Sequence, residues 1–205
     1  MVFDVDSTLI EDEVIELLAD AAGKRAEVKA ITDSAMAGDL DFSQSLAARV
    51  AMLEGVSQAA IAQTIDRVRI TKGAVELIAA IHTAGGKVAA VSGGFIQVLE
   101  PLAEKLGLDF YRANTLEVID DKLTGKTLGR VIDRSVKSES LLEWASELGL
   151  KPSQTIAVGD GANDLEMMAT AGLGVAFNAK PLVRATADLV IAGDSLESLT
   201  AILPR

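Results

Sequence analysis

The sequence predicts an α/β protein: a three-layer, Rossmann-like core around a parallel sheet, with a helical cap inserted after the first strand. Three observations carry this. Short apolar runs, among them Val2–Val5, Lys87–Val91 and Thr155–Val158, alternate with segments of helical periodicity, as in βαβ units whose sheet is covered on both faces. A long Ala-rich stretch from Glu11 to about Arg69 has helical spacing and no obvious strand. Three polar clusters each follow directly on a predicted strand, which places them together at one edge of the sheet.

Taken in order, Val2–Val5 is a short buried strand. The helical stretch behind it has Gly23, Gly38 and Gly55 as breaks, and its apolar faces are Val14, Ile15, Leu17 and Leu18, then Leu46, Val50 and Leu53. A helix over Ala74–Ala84 ends at Gly85-Gly86. Lys87–Val91 is the next strand, and Phe95–Leu106 a helix with Pro101 inside it, which predicts a kink. Asp109–Ala113 reads as a short strand. Leu116–Ile119 and the run from Leu123 flank Asp120-Asp121 as a hairpin. A helix over Ser138–Leu148 has Gly149 past its end and Pro152 beyond, which leaves Lys137 just ahead of it. Thr155–Val158 is followed by a helix from about Asn163 to Ala171, and Leu173–Ala176 and Leu189–Ile191 are further strands. The division is residues 1–10 and 73–205 for the core and 11–72 for the cap.

The 205 residues are 49% hydrophobic and 24% charged, a balance that gives a packed core rather than disorder. The net charge of -11 opposes nucleic-acid backbones and anionic membranes as partners. Mean hydropathy is high at +0.32. Yet the longest uncharged runs, between Lys87 and Glu100 and between Glu166 and Lys180, fall short of the roughly 20 residues of a membrane helix. No basic segment followed by an apolar one opens the chain, so a cytoplasmic protein is expected. There are no cysteines and one histidine, His82, so a bound metal must be held by carboxylates, which favours Mg²⁺ or another hard cation.

The polar clusters are Asp4-Val5-Asp6-Ser7-Thr8, Ser92-Gly93-Gly94 and Gly159-Asp160-Gly161-Ala162-Asn163-Asp164. Asp4 and Asp6 are two apart and face one side of an extended chain. Four carboxylates converging at one edge repel one another unless a cation sits among them. The Ser92 hydroxyl, the unobstructed Gly93 N–H and the Lys137 ammonium all suit phosphate oxygens. One aspartate would then attack phosphorus while its neighbour moves the proton. Taken singly, each cluster is an ordinary surface turn or loop; their order, each behind a strand, gives them meaning.

DVDST, SGG, the isolated Lys137 and GDGANDLEM together resemble the four motifs of the haloacid dehalogenase superfamily of phosphotransferases. The resemblance covers nearly the whole chain. Through DVDSTLI with Glu13, DFSQSLAARV, VSGGF and GDGANDLEM it is strongest to members that act on O-phosphoserine. It implies a Mg²⁺-dependent hydrolase that releases serine and phosphate, the last step of serine biosynthesis, through an aspartyl-phosphate. Asp4 would be the nucleophile and Asp6 the general acid and then base. The Asp4 carboxylate, the Asp6 carbonyl and the Asp160 carboxylate would bind Mg²⁺. Ser92, Gly93 and Lys137 would hold the phosphoryl group, Asn163 would orient phosphate or water, and Asp164 would steady Lys137 or a metal-bound water. In the cap, Arg49 would pair with the substrate carboxylate, Glu13 with its ammonium, and Met36 and Phe42 would wall the pocket.

Relatives often carry a regulatory domain upstream, and Ile70-Thr71-Lys72 lacks the proline expected at that junction. A monomer or homodimer is expected. Two other readings remain open at this level. One is a phosphotransferase that passes the phosphoryl group to another hydroxyl amino acid such as homoserine. The other is a non-catalytic phosphometabolite-binding protein on the same scaffold. His82 reads as a capping or surface residue and Trp144 as a packing one.

Overall fold

A computed structural model describes residues 1–36 and 41–203, with the backbone alone at Asp33, Ala35 and Met36. Among the described residues, seven strands form one sheet. They are β1 (Val2–Phe3), β2 (Ala89–Phe95), β3 (Phe110–Ile119), β4 (Lys122–Leu128), β5 (Ile156–Gly159), β6 (Leu173–Phe177) and β7 (Leu189–Ile191). Their order is β4-β3-β2-β1-β5-β6-β7, parallel except for the β3–β4 hairpin. The α/β class and parallel core expected from the sequence are found.

Strand residues alternate between two cores, as a two-residue period demands. Phe3, Ala90, Val158, Val175 and Phe177 face one side. Val2, Ala89, Val91, Ala157 and Ala176 face the other. The first side is covered by α5 (Ala74–Thr83) and α6 (Ile96–Leu106), which bury Leu77, Ile78, Val98 and Leu99. The second is covered by α7 (Arg134–Glu147), α8 (Leu165–Thr170) and α9 (Pro181–Thr186), with Leu141, Trp144, Met167 and Val183. Trp144 packs as expected, stacked on Phe110 at 5.8 Å between ring centroids with the Arg112 guanidinium over it.

Among the described residues, four α-helices, α1 (Val14–Ala21), α2 (Arg25–Met36), α3 (Phe42–Ala51) and α4 (Gln58–Arg67), lie between β1 and α5. Gly23 and Gly55 break them with φ of 65° and 83°; Gly38 lies outside the described residues. At the neck, Glu11 and Thr71 donate to the carbonyls of Arg69 and Leu9, and Arg69 grips Asp12 through two guanidinium nitrogens. At the far end, Gly55 donates to Leu123, Leu123 to Val56 and Gln58 to Asp121, so the helices also seat on the β3–β4 hairpin. That hairpin turns through Asp120 and Asp121 with φ of 49° and 59°, the mirror-image turn that matches strand twist.

Several boundaries differ from the sequence reading. The first strand ends at Phe3, and the chain stays extended through Asp4 before turning left-handed at Ser7. Its second strand runs on through Ser92-Gly93-Gly94 to Phe95 with a register shift between Val91 and Phe95, so this cluster lies within the strand end. Lys137 lies inside α7, not ahead of it. Asp133 caps that helix by accepting from the Val136 N–H at 3.0 Å, which starts it a turn earlier than expected. The strand read as Asp109–Ala113 continues to Ile119, and α6 runs through Pro101.

Candidate active site

β1 lies between β2 and β5, and the chain builds outward from it in both directions. Such a switch point leaves a crevice beyond the carboxyl ends of the strands. Asp4 and Asp6 follow β1, Ser92 to Gly94 end β2, and Asp160 follows β5. The three clusters therefore meet at one edge.

Asp4 continues from β1, its N–H donating to the Val158 carbonyl at 2.8 Å. Its carboxylate accepts from the Lys137 ammonium, which also donates to Asp164 at 2.7 Å; Lys137 and Asp164 are wholly buried. Burial favours loss of the Lys137 proton, but Asp164 and Asp4 outweigh it and hold the ammonium charged. Burial first, and Asp164 next, push Asp4 well above the usual carboxylate range against Lys137. Burial and Asp164 likewise raise Asp160 to about 6.

Asp6 points elsewhere. The chain turns left-handed at Ser7, with φ of 58°. Asp6 Oδ1 accepts from the Val14 N–H at 2.7 Å, and Oδ2 accepts from Ser92 Oγ at 3.0 Å. Burial raises this carboxyl, although both hydrogen bonds favour its charged form. Ser7 Oγ donates to Glu13 at 2.7 Å, and burial together with Asp6 raises Glu13 to about 7.

Carboxylate oxygens of Asp4, Asp160 and Asp164 lie within 4.8 Å of one another. Asp164 is already committed: one oxygen takes Lys137, the other the N–H groups of Asp160 and Gly161 at 3.2 and 3.0 Å. It braces the site, and Asp4 and Asp160 keep oxygens for an ion. An all-oxygen donor set in which Asp160 raises the Asp4 pKa fits a hard divalent cation.

α3 lies over this edge. A Cβ at Gly93 would stand 2.9 Å from Phe42 Cζ, so the ring rests on the glycine backbone. Arg49 is half-buried; it donates to the Ser45 carbonyl and reaches the Thr32 hydroxyl, and its charge acts on Glu13 and Asp6. The Met36 side chain lies outside the described residues. Asn163 sits half-buried in the turn at 162–164 beside Gly161. His82 is remote and bonds Asp109 at the other end of the sheet.

The sequence reading passed over three residues. Ser7 joins Asp6's turn to Glu13. Lys180 donates its backbone N–H to the Asp160 carbonyl, and its charge opposes the upward shifts of Asp160 and Glu13. Asn114 bonds Gly93 and Ile132 from within β3. The sequence reading left it in the gap between two runs read as strands, since an amide is a poor strand former, whereas the structure carries one strand through it.

Among curated relatives, the chain is 50% identical over 203 residues to a phosphoserine phosphatase of Streptomyces coelicolor, covering 99% of this chain and 50% of that one. It is 49% identical to a phosphoserine phosphatase of Streptococcus thermophilus, covering 99% and 94%. The chain thus spans about half the length of some of these relatives and nearly all of others. A solved structure described as the phospho-aspartyl intermediate analogue of phosphoserine phosphatase superposes with a TM-score of 0.94 at 42% identity, covering 99% of this chain and 97% of that one. Among the described residues no helix is long and apolar enough to cross a membrane. The family model for haloacid dehalogenase-like hydrolases matches residues 1–172, which hold every cluster at this sheet edge, and the chain belongs to that family.

Proposed function

We propose that the protein is a Mg²⁺-dependent phosphomonoesterase that hydrolyses O-phosphoserine to serine and phosphate through an aspartyl-phosphate on Asp4. One observation carries this reading: two aspartates two residues apart sit in different environments. Asp4 is bound to an ammonium and lies beside Asp160, whereas Asp6 bonds a hydroxyl and a backbone N–H. Neighbouring carboxyls with separated environments are what a nucleophile and a proton carrier need. Support also comes from similarity to a solved structure described as a substrate-bound phosphoserine phosphatase complex, at a TM-score of 0.94 and 42% identity.

In this mechanism an Asp4 oxygen attacks phosphorus while the serine oxygen leaves and takes the Asp6 proton. Asp6 then accepts a proton from water as that water attacks the aspartyl-phosphate, which breaks the bond to Asp4. The Gly93 N–H and Lys137 hold the phosphoryl oxygens, Ser92 stands beside them with its hydroxyl proton on Asp6, and Asn163 orients phosphate or water. Mg²⁺, held by Asp4, the Asp6 carbonyl and Asp160, would offset the negative charge of the acids and the phosphoryl group. Asp164 keeps Lys137 charged and in place.

Arg49 and Glu13 would read the substrate's carboxylate and ammonium, with Met36 and Phe42 as walls. Residues 11–72 would act as the lid on a core of residues 1–10 and 73–205, excluding water from the phosphoenzyme. All these groups come from one chain, which supports a monomer or a homodimer of independent sites, and a cytoplasmic location fits a cysteine-free chain.

Phosphate release from O-phosphoserine, with Mg²⁺ and with a chelator, tests the reading. Release is expected only with the metal, and Asp4→Asn is expected to lose at least about 10⁴-fold in kcat, the scale of losing a covalent nucleophile. Wild-type rates in the mutant exclude the covalent mechanism. Phosphohomoserine formed on adding homoserine would make the protein a phosphotransferase. Phosphoserine binding without turnover would make it a binding protein.

A further inference from the structure

Asn114 is 2% exposed and lies on β3, opposite Phe95 of β2. Its Nδ2 donates to the Gly93 carbonyl at 2.8 Å, and its Oδ1 accepts from the Ile132 N–H at 2.9 Å. These partners fix the amide's orientation, since the flipped group would set oxygen against oxygen and N–H against N–H.

The Gly93 carbonyl shares a rigid peptide plane with the Gly94 N–H. That N–H donates to Ser92 Oγ at 2.7 Å. With one lone pair so occupied, the hydroxyl directs its own proton to Asp6 Oδ2 at 3.0 Å. The line from Asn114 through the Gly93–Gly94 peptide and Ser92 to Asp6 is unbroken. The approach is close: a Cβ on Gly94 would stand 2.9 Å from both Ser92 Oγ and Asp6 Oδ2. On its other side Asn114 holds Ile132, the residue before Asp133, and Asp133 both caps α7 and accepts the backbone N–H of Lys137.

We infer that Asn114 is a positioning residue for phosphoryl transfer: through the Gly93–Gly94 peptide and Ser92 it aims the Asp6 carboxyl at the leaving group. It touches neither substrate nor the reacting atoms. The inference rests on the phosphatase reading and adds a residue to it. The side chain must donate and accept at once, which an ionised aspartate of the same shape cannot do.

The test is Asn114→Asp, which keeps the Ile132 bond and loses the one to Gly93. Two substrates are compared by kcat/KM, which covers events up to phosphoenzyme formation. Serine needs a proton to leave; p-nitrophenolate does not. For O-phosphoserine kcat/KM is expected to fall about 100-fold, and for p-nitrophenyl phosphate less than about tenfold, the scale of a mis-set general acid. Adding Ser92→Ala to Asn114→Asp should cost less than the product of the two single effects. Equal losses on both substrates, or no loss, overturn the inference.

Should the variant not fold, ¹⁵N spectra of the wild-type protein decide. A coupling across the hydrogen bond from Asn114 Nδ2 to the Gly93 carbonyl carbon is expected; a freely exchanging Asn114 amide without it overturns the inference. Wild-type turnover of O-phosphoserine tests the phosphatase reading by itself, and the ratio between substrates tests Asn114.

Discussion

The backbone N–H of Val14 donates to Asp6 Oδ1 at 2.7 Å. Val14 is the first residue of α1, and Glu13 before it makes no side-chain cap. The carboxylate of Asp6 thus takes the place of a cap, satisfying an N–H that helix geometry leaves free. The first helix after β1 is thereby tied to the proposed proton carrier.

Val14→Pro tests that tie. Proline suits the first helical position, and Glu13 already has the extended backbone (φ -96°, ψ 108°) that a following proline requires. The N–H is lost, and the proline ring replaces the buried Val14 side chain. Because that bond favours the ionised form, Asp6 should rise further, moving the pH–rate limb that requires its carboxylate to higher pH. We expect kcat to fall about tenfold, within the range for general acid–base groups. An unchanged limb would show that Val14 does not tune Asp6.

Lys137 pairs with Asp4 and Asp164 without exposure to water. Lys137→Met fills similar space and removes the charge. Two buried acids then lose their partner, which costs about 3–5 kcal/mol for a broken buried pair. Denaturant unfolding in the presence of a chelator measures this. The loss should shrink when Asp164→Asn is added, since one of the stranded charges is then gone. Turnover should vanish in both variants.

Phe42 and Gly93 make a paired prediction. Gly93→Ala places its methyl 2.9 Å from Phe42 Cζ, so ring or strand must move. A displacement of this size near the reacting groups can cost about 100-fold in rate. We expect kcat/KM to fall by that order and to recover in part in the Gly93→Ala, Phe42→Leu double variant, where the ring is gone. Without recovery, the damage lies in the strand backbone and not in the ring above it.

Asp109 offers a pH test away from the site. Its partial burial favours the neutral acid, but Lys87 at 2.6 Å, the Val88 N–H at 2.9 Å and His82 at 2.9 Å outweigh it and hold the carboxyl below its ordinary 3.8. The folded value lies below the unfolded one, so the stabilisation is present above pH 3.8 and lost as pH falls through the folded value. Asp109→Asn should lower the thermal midpoint at pH 7 by about 2–4 °C, and the difference should fade once wild-type Asp109 is protonated. A difference constant down to pH 2 would assign the loss to packing instead of charge.

Features legible in the sequence were those set by local chemistry. Asp120-Asp121 marked its hairpin because two adjacent acids flanked by apolar runs accept the left-handed turn. Leu189–Ile191 was apolar over one short run. Where local signals competed, the reading slipped. Ser92-Gly93-Gly94 reads as a loop by composition, yet it pairs with β3 and extends β2. Asp133 offered a cap signature that sets Lys137 inside α7, and it was passed over for a later start.

The sequence by itself determined the α/β class, the helical segment after β1 and the identity of the acids that meet at the sheet edge. Periodicity and the order of the clusters are properties of the chain, and parallel strands bring their carboxyl ends together whatever the details. Only the tertiary structure decided how those acids differ. Burial and partners more than 80 residues away in the chain, Lys137 for Asp4 and Ser92 for Asp6, give two like side chains unlike environments. It also decided that Asn114 stands behind Gly93, because an amide's worth depends on which donor and acceptor the fold sets on either side of it, and no pattern along one strand records that.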